Sequence, residues 1–193
     1  ELGDFIANSP DEFFGEIDES LLVVANGMRA AEDADSYVDA LAVDSDGTAV
    51  VVIITAVDTK APLTRAMNSA SRVAAWDSDE FLRRIGPAKS QELRVYLAQN
   101  YRNLNKCQRV ILVAEKFSQD LVGTASWLSG SYGVDLACVE VTLAYDPVSG
   151  AEFLNCNLIM ARPSIVDEVE DVELEPVLEA EPELETLAAK EEP

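Results

Sequence analysis

A mixed α/β sheet with helices on its faces is the fold the sequence predicts, and three observations predict it. The first half is rich in strand patterns gathered around one hairpin, residues 37–43 and 48–57 joined by Asp44-Ser45-Asp46-Gly47. The second arm of that hairpin is almost unbroken in β-branched and apolar residues, as in a strand covered on both faces. The second half then alternates helix-period with strand-period segments. At 193 residues and 48% apolar content, the chain suffices for one domain with a real core and an appendage.

The elements follow in order. Residues 2–7 have the pattern of a short amphipathic helix. Ser9 is a candidate N-cap with Pro10 at the first position of a second helix, and Phe13 and Phe14 are expected to pack inward. Residues 21–24 predict a short strand, and 29–36 a polar loop. In the hairpin turn, Asp46-Gly47 is a strong signal because Gly tolerates the positive φ of a tight turn. Asp44 and Asp46 lack the spacing of a calcium loop and read as turn residues. Lys60-Ala61-Pro62 ends the hairpin. Residues 64–76 then give an apolar stripe of Ala66, Met67, Ala70, Val73 and Ala74. Ser78-Asp79-Glu80 opens a helix stopped by Gly86-Pro87, and Ser90 is the expected cap of the next, which runs through Leu93, Tyr96, Leu97 and Tyr101. Residues 109–114 predict a buried strand. A helix capped by Ser118 and closed by Gly130 comes next, then an alternating strand over 136–145, a turn over 146–150, and a partner strand over 152–160. The predicted domain spans residues 1–163. Residues 164–193, where Glu recurs with Val, Leu and Pro, read as a solvated acidic tail, disordered or partly helical.

Charge is unevenly spread within a net −22. Residues 1–59 hold 14 acids and one base, residues 60–116 five acids and 11 bases, and residues 165–193 twelve acids and one base. An acidic chain repels nucleic acid as a whole, while its middle third is locally basic. Arg65 and Arg72, two helical turns apart, share a face with Lys60 nearby, and Arg83, Arg84, Lys89, Arg94 and Arg102 follow. These are either a solvated surface answering the acidic first third or a nucleic-acid groove.

The chain has no His, which removes triads of the usual kind and most transition-metal sites. Cys107, Cys138 and Cys156 match no zinc spacing and are expected to be reduced and mostly buried, as in a cytoplasmic protein. No apolar stretch reaches 18 residues and the N-terminus lacks the pattern of a signal peptide, so neither membrane insertion nor export is expected.

The opening Leu2-Gly3-Asp4-Phe5-Ile6-Ala7-Asn8-Ser9-Pro10, the run Val38-Asp39-Ala40-Leu41-Ala42-Val43-Asp44-Ser45-Asp46-Gly47, the Ala61-Pro62 step with its Ala-rich helix, and the strand–helix–strand of 110–145 occur in a telling order. In that order, residues 1–161 resemble the PD-(D/E)XK nuclease-like superfamily of small bacterial and archaeal domains, similar to the catalytic domain of the NucS-type endonucleases. The resemblance implies a restriction-endonuclease-like core. It also implies an Asp at the end of the first hairpin strand and an acid-x-Lys on the next, which together hold Mg²⁺ or Mn²⁺. Two carboxylates supply hard oxygen ligands, and the Lys steadies the attacking water or the phosphate.

Asp39 matches the first position. The second is absent: one register puts Thr55 and Val57 at the acid and the Lys, the other puts Ile53 and Thr55 there. Asp58 would face away from these positions unless a bulge intervened, and Glu1 or Asp4 on the first helix is an alternative acid. With one vestigial carboxylate, no metal or other cofactor is expected. The expected role is non-enzymatic, as an interaction module or weak nucleic-acid binder. Two alternatives stand beside it: a residual metal-dependent endonuclease with rearranged acids, and an acidic nucleic-acid mimic that binds a basic protein. DNA, a basic protein and a second copy of the chain are the candidate partners.

Overall fold

The structure is a computed structural model that describes residues 2–32, 36–55, 61–145, 147–148 and 152–160. The acidic tail and residues 56–60 lie outside the described residues. Among the described residues, six strands form one mixed sheet in sequential order, β1 (Leu22–Arg29), β2 (Tyr37–Val43), β3 (Ala49–Thr55), β4 (Gln108–Ala114), β5 (Leu136–Tyr145) and β6 (Glu152–Met160). The first three make an antiparallel meander, β3, β4 and β5 are parallel, and β6 returns antiparallel to β5. The predicted α/β class is the one observed.

Helices cover both faces because the strands alternate. Ala40, Ala42, Val50, Val52, Ile111 and Val113 point to one side, where α1 (Leu2–Asn8) and α2 (Pro10–Gly15) bring Ile6, Phe13 and Phe14. Leu41, Val43, Val51, Ile53, Val110 and Leu112 point to the other. There α3 (Pro62–Ala74), α4 (Ser78–Ile85), α5 (Pro87–Leu97) and α6 (Gln119–Tyr132) pack, α3 contributing Ala66, Ala70 and Val73. The small residues of that stripe let α3 lie close to β3 and β4, in the crossover that joins these two parallel strands.

Several boundaries differ from expectation, each for a local reason. Strand β1 continues to Arg29 rather than stopping at Val24, because a bulge between Val23 and Ala25 restores its pairing with β2. The Ser9 side chain makes no cap, so Pro10 alone marks the start of α2. Helix α4 opens at Ser78 as predicted, and its cap is Asp77, whose carboxylate accepts the Glu80 N–H at 2.8 Å. Helix α5 begins at Pro87. Ser90 sits inside it and donates its hydroxyl to the carbonyls of Leu82 and Gly86, tying α5 to α4. Tyr101 belongs to a 3₁₀ turn over Ala98–Asn103. Helix α6 runs through Gly130 and ends at Gly133, whose φ of 64° gives the left-handed C-cap. Of the cysteines, all free, only Cys138 is buried, while Cys107 is exposed and Cys156 half-buried.

The central turn is built as its residues predict. The Asp44 carboxylate accepts the N–H of Asp46 and of Thr48 at 3.0 and 2.9 Å, an Asx turn. Gly47 has φ 91°, and a Cβ there would lie 2.9 Å from the Asn103 carbonyl carbon. Its carbonyl accepts the Asn105 N–H at 2.8 Å, so the hairpin tip is fastened to the segment leading into β4.

Asn105, buried and at φ 60°, donates its amide to the carbonyls of Val73 and Trp76, both at 2.8 Å, and so closes the C-terminal end of α3. Asn105→Ala is expected to cost about 2 kcal/mol, through the amide bonds lost by the Trp76 and Val73 carbonyls, the latter keeping the Trp76 N–H, and through a left-handed backbone that Ala tolerates poorly. Asn105→Gly relieves only the backbone part. Urea unfolding of both variants checks the size and the order of the losses.

Candidate functional site

Asp39 sits on β2 between the buried Val38 and Ala40, half-buried itself. Its Oδ2 accepts the Ile54 N–H from β3 at 2.8 Å. The same oxygen is ion-paired with Nη2 of Arg65, which also donates to the Ile54 carbonyl at 3.3 Å. One guanidinium thus clamps the end of the β2–β3 hairpin to the helix that follows.

Local sequence explains why Arg65 is there. Pro62 opens α3, and Ala61 takes the left-handed conformation at φ 56° to turn the chain into it. Arg65 then falls in the first turn, the end where the helix dipole disfavours a cation. Asp39 provides the compensating charge. Arg72, seven residues on, is exposed in the last turn, where the dipole favours a cation. The two arginines predicted as one face therefore do different work. Arg65 is committed to the sheet, and Arg72 stands at the opposite end of the helix.

Of the positions expected to carry an acid-x-Lys, Ile53 is fully buried beneath the α3 layer. Thr55 ends β3, buried at the edge of a crevice of about 320 Å³ lined also by Pro62, Leu63, Lys116, Ser118 and Thr124. Val57, Asp58, Lys60, Glu1 and the Asp4 side chain lie outside the described residues. Among the described residues, no group of three or more Cys, Asp or Glu side chains is placed to hold a metal ion. No helix among them is long and apolar enough to cross a membrane.

The basic middle of the chain is largely engaged. Arg83 and Arg84 pair with Glu80, and Lys89 with Glu92. Arg84 also lies over the Trp76 ring and Arg94 over the Tyr101 ring, at 4.6 and 4.8 Å from their centroids. A row of charges in the sequence becomes, in three dimensions, a set of local pairs.

Neither a family model, a curated protein nor a solved structure matches the chain.

Burial holds the Asp39 carboxyl above its ordinary value of 3.8, against the opposing pull of the Ile54 N–H and of Arg65. A carboxyl raised in the folded state favours its protonated form. The stability it contributes is present at low pH and is lost as pH rises from the unfolded value through the folded one. Arg65→Leu removes the charge and hydrogen bond that oppose burial, so the folded value climbs further. The deficit of the variant relative to the parent is expected to be small near pH 4 and to widen toward neutrality, by about 1–2 kcal/mol. Urea midpoints of both proteins across that range check the sign, and a deficit that shrinks with rising pH contradicts it.

The Asp39–Arg65 pair was not anticipated from the residues alone. Its signal is a cation in the first turn of a helix opened by Pro, a place where an Arg needs a carboxylate from elsewhere.

Proposed function

We propose that the chain is a nuclease-like scaffold without metal-dependent chemistry that works as a protein-interaction module. The observation that carries this reading is the guanidinium of Arg65 against Asp39. The carboxylate that would bind a divalent cation already has a monovalent one, fixed by the fold and hydrogen-bonded through the same oxygen. A hard cation needs several oxygen ligands, and Ile53 and Thr55 bring no carboxylate to this end of the hairpin. The pairing of Arg83, Arg84 and Lys89 with their own acids favours a protein partner over nucleic acid, since a phosphate backbone is held by cations free to displace its counterions.

The test is incubation of the full chain with supercoiled, linear and single-stranded DNA in Mg²⁺ or Mn²⁺. No cleavage is expected, and Asp39→Ala is expected to change nothing. Mn²⁺-dependent nicking that disappears in Asp39→Ala would overturn the reading and restore the endonuclease alternative. Tight DNA binding at low salt without cleavage would replace the interaction module with a nucleic-acid binder.

A further inference from the structure

The two edges of the sheet are protected unequally. At one edge β1 carries a bulge between Val23 and Ala25 and a left-handed Gly27 at φ 59°, and α5 packs alongside it. Bulges and covering helices are the usual means of keeping an edge from pairing with another chain. At the other edge, last among the described residues, α6 meets one face of β6, and the described strand carries no bulge over most of its length. From Glu152 to Leu158 it runs in unbroken register against β5, and the only irregularity comes at Ile159.

Its chemistry is as unguarded as its shape. From Phe153 to Met160 the strand carries no charged residue, although the chain has a net charge of −22. Phe153, Leu158 and Ile159 are 56%, 40% and 37% exposed. Nearby, α6 presents Trp127 and Tyr132, stacked edge to face at 4.9 Å and more than half exposed. A long, uncharged, apolar edge strand next to exposed aromatics is a surface that forms β-pairs.

We infer that β6 is a self-association edge: a second copy of the chain pairs antiparallel with it about a two-fold axis, joining two six-stranded sheets into one. Charge is compatible with this occupant. A two-fold sets a strand against itself, so any net charge along it meets its own sign in the other copy, and an acidic chain can do this only along a neutral stretch. The stretch Phe153–Met160 is neutral. Alternation supports the same geometry. Leu154 and Cys156 pack toward the α1–α2 side, so Phe153, Asn155 and Asn157 face the α6 side. A two-fold perpendicular to the sheet keeps like faces together, leaving Phe153 and the α6 aromatics of both copies on one side. The inference does not depend on the nuclease-like reading, because β6 is remote in sequence from the β2–β3 site and uses none of its residues.

The test is sedimentation equilibrium of the full chain from about 1 to about 100 µM. A mass approaching twice the 20.9 kDa of one chain is expected within that range. Raising the salt is expected to tighten the dimer, because the interface is neutral and salt screens the repulsion between two acidic bodies. Asn155→Lys combined with Asn157→Lys, at exposed positions of β6, is expected to weaken the dimer at least about tenfold while leaving the monomer's far-ultraviolet spectrum unchanged. Asn26→Lys, exposed on β1, is expected to leave the dimer intact. A chain that stays at 20.9 kDa throughout overturns the inference and leaves β6 to a strand from another protein. A dimer that survives the paired lysines, or one broken by Asn26→Lys, overturns it as well.

Discussion

Arg109→Leu is expected to destabilise the protein by about 3 kcal/mol, the range for breaking a buried ion pair at one partner. Arg109 stands near the start of β4 and is 2% exposed. Its guanidinium binds both oxygens of Glu19, from the segment between α2 and β1, and its Nε lies 3.4 Å from Oδ1 of Asp135, just before β5. Burial opposes its charge, and Glu19 followed by Asp135 more than restores it. Three stretches distant in sequence are thus latched at the N-terminal ends of the parallel strands. Leu fills the space but takes from Glu19 the cation that binds both its oxygens, and from Asp135 a neighbouring positive charge. Arg109→Lys is expected to recover little, because an ammonium cannot match the two-pronged contact with Glu19. Arg109→Leu with Glu19→Leu is expected to be more stable than Arg109→Leu alone, since one stranded charge is gone. Denaturant midpoints of the three variants check this, and a double variant no better than the single one contradicts it.

Phe13→Ala is expected to cost about 4 kcal/mol, within the range for emptying an aromatic site in a core. Among the described residues, only the short helices α1 and α2 and the segment that follows bring residues to the Val50–Val52–Ile111 face from outside the sheet. Helices of seven and six residues do not hold their shape in water without tertiary contacts. Phe13 and Phe14 supply them, both fully buried and packed edge to face at 5.1 Å. Removing the Phe13 ring loses its transfer energy and loosens the layer that keeps one side of the sheet dry. Phe13→Leu keeps most of the volume and is expected to cost about 1 kcal/mol. Thermal or urea unfolding of the pair measures the gap, and amide exchange in α1 and α2 is expected to quicken more in the Ala variant.

The parts of the fold legible in the sequence were those written in short-range patterns. The unbroken apolar run of β3, the Asp44–Gly47 turn and the alternation of β5 each depend on neighbours within a few residues, and each element lies where its pattern predicts. Helix ends were less legible, because several residues competed to cap them. Ser90 lies inside α5 where it was expected to cap it, and Gly133 ends α6 where Gly130 was expected. The site was least legible of all. That Asp39 lacks an acid and a Lys on the next strand can be read along the chain. That Arg65 takes up its carboxylate depends on where α3 lands on the sheet, a matter of packing that no local pattern encodes. The same holds for Arg109 with Glu19, ninety positions apart.

The crossover between β3 and β4 also sets the order in which the molecule can assemble. The two hairpins at either end of the sheet join neighbours in the chain, and hairpins zip within microseconds. Bringing Gln108 beside Ala49 requires closing the whole excursion through α3, α4 and α5, an entropic toll met before any contact between β3 and β4 offsets it. Refolding is therefore expected to be limited by docking of the central parallel pair onto the flanking hairpins. The fastening of Gly47 to Asn105, at the mouth of that excursion, is the contact best placed to shorten the search.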